Sequence, residues 1–308
     1  MNETNYDVVI VGCGPAGMAA GIYCGRAKLK TIIMEQESLG GHLINMDMVE
    51  NYPGFDSGIM APDLAASMVN QTANTGIELD MSAAESIEVG DNGITVHTSS
   101  GDCQTKALIL ASGSHHKKLG VPGEEELEHN GVFYCAICDG SPYANKTVVV
   151  AGGGDSGITE ALYMARIASK VIVLEAMPAC AASSVLLERA RANPKIEINC
   201  NFRIEKINGE GQVTGVDVLD AVSGTKSTIP ADGVLIRVGV APNTDWLKGV
   251  VPLNERGQVK VNDRLESEVR GVYSAGDCRA SSPCQISSAV GDGATAAISV
   301  QRYLNSLK

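Results

Sequence analysis

The chain has 308 residues, enough for two domains each with its own core, and its 44% hydrophobic and 19% charged content fits an ordinary globular protein. A formal net charge of −12 argues against nucleic acid or an anionic membrane as the main partner. Thirty-four glycines imply many close backbone approaches, as in a nucleotide-binding α/β protein.

The first predicted strand, Tyr6 to Val11, begins almost at once, with no basic, apolar or cleavage region of a targeting peptide ahead of it. No apolar run is long enough to span a bilayer. Nine scattered cysteines in such a chain do not read as an extracellular disulfide framework, so the expected location is cytoplasmic.

That first strand runs into Gly12-x-Gly14-x-x-Gly17, a helical stretch, and a second apolar run ending at Glu35. Residues Val148 to Ala176 repeat Val8 to Gln36 without a gap, at a constant offset of 140, with Gly152, Gly154, Gly157 and Glu175 at the matching places. In both copies the glycine motif follows a strand, opens a helix and meets an acid 23 residues after its first glycine. This is the full context of a dinucleotide fingerprint. The first glycine permits the tight turn, the second lets backbone approach a pyrophosphate, and the third lets the helix pack close. Two matches in register argue against a ligand-free glycine turn for the first copy at least.

Ile77-Glu78-Leu79 opens a predicted β-meander around Gly90-Asp91-Asn92-Gly93, closed by the strand Leu108 to Gly113. Ile196-Glu197-Ile198, the segment Gly209 to Gly215 and the strand Val234 to Gly239 repeat that order. A further strand and helix, Val272 to Asp277 and on through Ala289 to Leu304, form a tail that sequence pattern assigns to neither copy. The fold expected is α/β, with two Rossmann-like, three-layer ββα nucleotide-binding domains.

Glu35 and Glu175 can each accept hydrogen bonds from ribose hydroxyls, and a carboxylate there repels a 2′-phosphate. After Glu175 come Ala176, Met177, Pro178, Ala179, Cys180 and Ala181, with no cation. NADPH is thus a poor candidate, and NADH is permitted.

Between the copies lies Cys135-Ala136-Ile137-Cys138-Asp139. A Cys-x-x-Cys pair at a helix start has a lowered thiol pKa and closes a short-loop disulfide, and Asp139 can shuttle the proton. The zinc alternative needs two further ligands, and the chain has no second Cys-x-x-Cys and no His-x-x-x-His, so no metal is expected. Cys13, Cys24, Cys103, Cys180, Cys200, Cys278 and Cys284 stand alone in sequence and read as buried, inert thiols. His115-His116-Lys117-Lys118 is the densest cationic run and reads as a solvated hinge.

These motifs, with Gly40-Gly41, Val49 to Gly54, Gly152 to Ser156, Pro242-Asn243-Thr244 and Ala275-Gly276-Asp277 with Gln285, resemble the low-molecular-weight thioredoxin reductases over nearly the whole chain. The resemblance implies that the second domain is inserted in the first. An FAD domain would span 1–115 and 245–308 and a nucleotide domain 116–244, with hinges at Ser114 to Lys118 and Ala241 to Asp245. It implies FAD contacts from Gly12, Gly14, Gly17, Glu35, Gly40, Gly41, His42, Leu43, Asn51, Gly113, Asp277, Gln285 and Ile286, with Asp277 on the ribitol chain. Cys138 would face the flavin, Cys135 would attack the disulfide of thioredoxin or a thioredoxin-like protein, and Asp139 would be the acid/base. The family works as a homodimer with rotating domains.

Three departures stand out. The family's His-Arg-Arg and following arginine, which bind the 2′-phosphate of NADPH, are replaced by Glu175, Ala176, Met177 and Ala181. The usual glutamine after Gly40-Gly41 is His42, and the alanine closing the second glycine motif is Gly157. The donor expected is therefore NADH or, as in some relatives, reduced ferredoxin. The net charge opposes an acidic ferredoxin, an opposition that Lys117-Lys118 could relieve locally. Two alternatives remain: a reductase of the same fold serving a peroxidase or another dithiol protein, and a non-catalytic FAD-bound redox sensor.

Overall fold

The computed structural model describes residues 4–90 and 93–308. The chain divides into two compact units, Met1–His115 with Ala241–Lys308, and His116–Val240.

In the first unit, strands Glu78–Asp80, Thr31–Met34, Thr4–Val11 and Cys103–Leu110 lie side by side and parallel. The runs Ile32 to Met34, Val8 to Val11 and Ala107 to Leu110 are continuously apolar because both faces of the sheet are covered there. Val8 and Ile10 enter one core with the helices Pro15–Arg26, Ala61–Ala73 and Ile286–Ser306, while Val9 and Val11 enter another with Ile87, Ile94 and Val96 of the meander. The meander is antiparallel, Ala84–Gly90 to Gly93–Thr98 to Cys103–Leu110. The turn residues Asp91 and Asn92 lie outside the described residues.

The free edge of Cys103–Leu110 is divided between two partners. Cys103 to Thr105 pairs with Ile94 to Val96, and Leu108 to Leu110 pairs in parallel with Val272 to Ser274. The tail strand therefore returns to the first copy, a question that sequence pattern leaves open. The tail helix packs close to the helix Pro15–Arg26: a Cβ on Gly293 would stand 2.1 Å from Ala16 O.

The second unit has five parallel strands in the order Val132–Phe133, Gly233–Ile236, Thr147–Ala151, Lys170–Glu175, Ile196–Cys200 among the described residues. Val148 and Val150 face the helix layer, and Val149 and Ala151 face a separate antiparallel sheet of Phe202–Gly209, Val213–Asp220 and Lys226–Pro230. The alternation matches that of Val8 to Val11, so the sequence repeat is also a repeat of packing.

The chain passes between the units twice. In the first unit, Asn243 N donates to Gly113 O at 3.0 Å, Asn243 Nδ2 to Ser112 O at 2.9 Å and His115 Nδ1 to Asn243 Oδ1 at 2.6 Å. In the second, Lys117 N donates to Gly239 O at 3.0 Å. His115, Lys117 and Lys118 are exposed, and Lys118 Nζ pairs with Glu125 at 2.9 Å and Glu128 at 3.8 Å.

No helix among the described residues is long and apolar enough to cross a membrane, and no group of three or more His, Cys, Asp or Glu side chains there could hold a metal ion.

Candidate active site

The first glycine loop is shaped by two collisions that only glycine avoids. Gly12 has φ +103°, and a Cβ there would stand 2.2 Å from Ala111 O; one on Gly17 would stand 1.9 Å from Gly12 O. Gly14, by contrast, has nothing within 4 Å of its Cβ position. That open face lies at the uncapped N-terminus of the helix Pro15–Arg26, where free N–H groups and the positive end of the helix dipole favour a phosphate. Pro15 fits the first helical position, where no N–H is needed.

The acid at the end of the second strand closes the loop. Glu35 Oε2 accepts from Cys13 N at 2.8 Å and Oε1 from Glu37 N at 3.0 Å, while Gly40 N donates to Cys13 O at 3.0 Å. Gly40 and Gly41 carry φ of +113° and +56°, and Gly41 lies against Gly14. Burial, with Glu35 beside it, pushes the Cys13 thiol up to about 12, so it is inert.

Two further groups gather in the same unit. His42 Nε2 donates to Ser114 O at 2.7 Å, and Ser114 Oγ donates to Asp277 Oδ2 at 2.9 Å. Asp277 sits on the turn Gly276–Cys278, which is clamped from beneath: Asp292 accepts from Arg279 Nε at 2.7 Å, Arg279 Nη2 at 3.0 Å and Gly276 N at 3.1 Å. Asn51 Nδ2 donates to Gln285 Oε1 at 3.1 Å at the start of the tail helix. Leu43 is buried in the core, so its side chain packs rather than reaching outward, and Ile286 packs partly against the same core. Gly113 has φ +67° and an open Cβ position. The Arg279–Asp292 clamp has no motif of its own in the sequence.

The residues fit FAD. The open face at Gly14, the uncapped helix and the Glu35 carboxylate suit an adenosine pyrophosphate, and the polar row His42, Ser114, Asp277 provides donors and acceptors for a polyol.

The second unit repeats the loop. Gly152 has φ +114° with a Cβ position 2.2 Å from Arg237 O, Gly157 would collide with Gly152 O at 2.1 Å, and Gly154 is open. Glu175 Oε2 accepts from Gly153 N at 2.7 Å, Oε1 from Met177 N at 2.8 Å, and Ala182 N donates to Gly153 O at 3.2 Å. Bond for bond this is the arrangement around Glu35, and its residues fit an adenine dinucleotide.

Cys135 and Cys138 are joined as a disulfide with Cα atoms 5.3 Å apart. Cys135 caps the four-residue helix Ala136–Asp139, its Sγ accepting from Cys138 N at 3.1 Å. Ala136 N donates to Glu160 Oε2 at 2.8 Å, so the loop is tied to the helix Asp155–Met164 that follows the second glycine motif. Neither Glu160 nor its partner Arg237 stood out in the sequence.

Of the remaining cysteines, Cys13, Cys24 and Cys278 are buried. Cys284 is exposed, correcting the expectation for that residue; it lies in the polar segment Ser281 to Cys284 just before the tail helix. Cys180 and Cys200 are half-buried and not isolated: their Sγ atoms are 3.8 Å apart.

Two nucleotide folds and a Cys-x-x-Cys disulfide define a flavin-dependent disulfide oxidoreductase. The family described as pyridine nucleotide-disulphide oxidoreductase matches residues 6–293, and the chain belongs to it. Within it, the thioredoxin reductase of Bacillus subtilis is 40% identical over 99% of this chain and 97% of its own length. The solved thioredoxin reductase of Lactococcus lactis has a TM-score of 0.96 at 33% identity, covering 98% of this chain and 99% of that one. A ferredoxin-flavin thioredoxin reductase of Clostridium acetobutylicum has a TM-score of 0.54 at 28% identity, covering 99% and 100%.

Proposed function

We propose that this chain is a thioredoxin-disulfide reductase that takes electrons from NADH and passes them through the Cys135–Cys138 dithiol to thioredoxin or a thioredoxin-like protein. The observation that carries it is the Cys135–Cys138 disulfide held at the start of a helix one residue before Asp139. Bound FAD supplies the electron pair that opens this disulfide. Once open, the Cys135 thiolate attacks the partner's disulfide, and Cys138 then displaces the mixed disulfide. One disulfide breaks for each that forms, and Asp139 carries the proton to the leaving thiolate. The Ala136–Glu160 bond keeps the two cysteines at their spacing through the cycle.

NADH is favoured over NADPH because Glu175 meets the ribose edge with a carboxylate, and no Lys or Arg occurs between residues 176 and 182. NADH is favoured over ferredoxin because the second glycine loop keeps every bond of the first, and because Lys118, which could draw an acidic protein, is neutralised by Glu125 and Glu128. The ferredoxin reading is supported by the likeness to the Clostridium acetobutylicum protein. The working form proposed is a homodimer, on resemblance alone.

Anaerobic mixing of the FAD-loaded protein with NADH, NADPH or reduced ferredoxin, followed by flavin absorbance, tests the donor. Rapid bleaching by NADH is expected; bleaching by ferredoxin alone would make the second glycine loop an inherited scaffold. Turnover with thioredoxin tests the acceptor.

A further inference from the structure

We propose that Cys180 and Cys200 form a second redox-active dithiol, closed to a disulfide by hydroperoxides, and that its closure weakens NADH binding at the second glycine loop. The two are 20 residues apart, yet their Sγ atoms stand 3.8 Å apart, and closing to a bond of about 2.05 Å needs only a small local movement. Both are half-buried rather than sealed in the core. Cys200 ends the strand Ile196–Cys200 and is the ladder partner of Glu175, while Cys180 lies on the loop that follows Glu175.

That loop is part of the nucleotide-binding frame. Cys180 Sγ fills the space beside Gly153, 2.5 Å from where a Cβ would stand. The matching residue of the first copy is Cys13, whose own side chain is buried there. Where the first copy has a cysteine side chain, the second has glycine and fills the space with a thiol from a neighbouring loop. The same loop orients Glu175 through Met177 N and grips Gly153 O through Ala182 N. Drawing Cys180 toward Cys200 pulls it off Gly153 and disturbs both contacts, which are the ones proposed to shape the ribose site.

The chemistry closes with one hydroperoxide. Cys180 Sγ is packed against Gly153, so Cys200 is assigned as the attacking thiol and Cys180 as the one that resolves it. The Cys200 thiolate takes the terminal peroxide oxygen, becoming a sulfenic acid and releasing water or an alcohol after proton uptake. Cys180 sulfur then displaces hydroxide, which leaves as water with the Cys180 proton. Two thiols are oxidised and one peroxide is reduced.

The effect on NADH rests on the donor reading above; the disulfide itself does not. The FAD-loaded Cys135→Ser/Cys138→Ser double variant is treated with one equivalent of hydrogen peroxide, alkylated, digested and analysed by mass spectrometry. A Cys180–Cys200 linked peptide two hydrogens lighter is expected. Recovery of both cysteines singly alkylated, or of sulfinic acid at either, would overturn the dithiol. NADH affinity, read by fluorescence titration of the same protein before and after peroxide, is expected to fall about tenfold, with no fall in a variant also carrying Cys180→Ser. Equal affinity in the crosslinked and reduced proteins would overturn the gate. Absence of NADH binding even when reduced would sink the donor reading and the gate with it, while leaving the mapped disulfide standing.

Discussion

Arg237 donates through Nε to Glu160 Oε1 at 3.2 Å, and the other oxygen of that carboxylate accepts the Ala136 amide beside the redox cysteines. The Arg237 side chain is 4% exposed and that of Glu160 14%, so the pair is withdrawn from water. Glu160 is therefore shared between a structural ion pair and the loop that carries the dithiol.

Glu160→Gln leaves the guanidinium buried without its counter-charge, a loss of about 3–5 kcal/mol by the usual cost of breaking a buried pair. A clear drop in melting temperature is expected, together with slower thioredoxin turnover because the Ala136 amide loses its carboxylate. Replacing both members, Glu160→Leu with Arg237→Leu, should melt above the single variant. If the double variant melts lower, the pair is worth more as a pair than this reasoning allows.

The two glycines of the first loop should fail differently. Gly14→Ala adds a methyl to open space, so the protein should fold with an unchanged melting point but bind FAD at least tenfold more weakly, as read from the flavin retained on dialysis. Gly17→Ala drives a methyl toward Gly12 O, and overpacking of this kind costs about 1–3 kcal/mol. Its loss should appear in thermal stability as well as in flavin content. Full flavin retention by Gly14→Ala would mean that the pyrophosphate lies elsewhere.

Glu175→Ala removes the ribose acceptor and leaves the Gly153 and Met177 amides without a carboxylate. Hydrogen bonds to a charged group are worth about 1.5–3 kcal/mol, so KM for NADH should rise roughly tenfold or more. NADPH should gain relative to NADH because the repulsion of its phosphate is gone. Arg191, whose charge acts on Cys180 from the helix Ser184–Ala192, is the cation tested as a partner for that phosphate. Adding Arg191→Ala to the Glu175 variant should reverse the gain; steady-state kinetics with both nucleotides reads each outcome.

Cys135→Ser and Cys138→Ser should each abolish thioredoxin reduction while leaving the flavin bound and reducible by NADH. Only Cys138→Ser should trap a mixed disulfide between Cys135 and thioredoxin, visible on a non-reducing gel. Trapping by Cys135→Ser instead would exchange the two roles.

Local pattern made much of this protein readable. Strand, glycine loop, helix and acid follow one another within a single short span, so both loops and the Cys-x-x-Cys could be marked from residue order alone. What escaped depends on contacts between distant stretches. The tail strand was ambiguous until Val272 to Ser274 was seen paired with Leu108 to Leu110, because a short apolar strand fits any open parallel edge. Cys180 and Cys200 looked solitary because a loop and a strand end bring them together. The Arg237–Glu160 pair and the Asp292 clamp were invisible because a charge in an apolar run does not name its partner.

The divided edge of Cys103–Leu110 bears on how the chain is made. When the ribosome has delivered the first 115 residues, Leu108 to Leu110 already lines up beside Val9 to Val11, but the strand that covers its other side is still untranslated. The second unit, whose strands and helices are contiguous, can be complete before the first is. A nascent chain thus carries an unpaired, fully apolar strand edge through most of its synthesis, the kind of surface that invites wrong pairing and chaperone capture. Truncation between Leu110 and Val272 should give an insoluble product, although every residue of the first glycine loop is present.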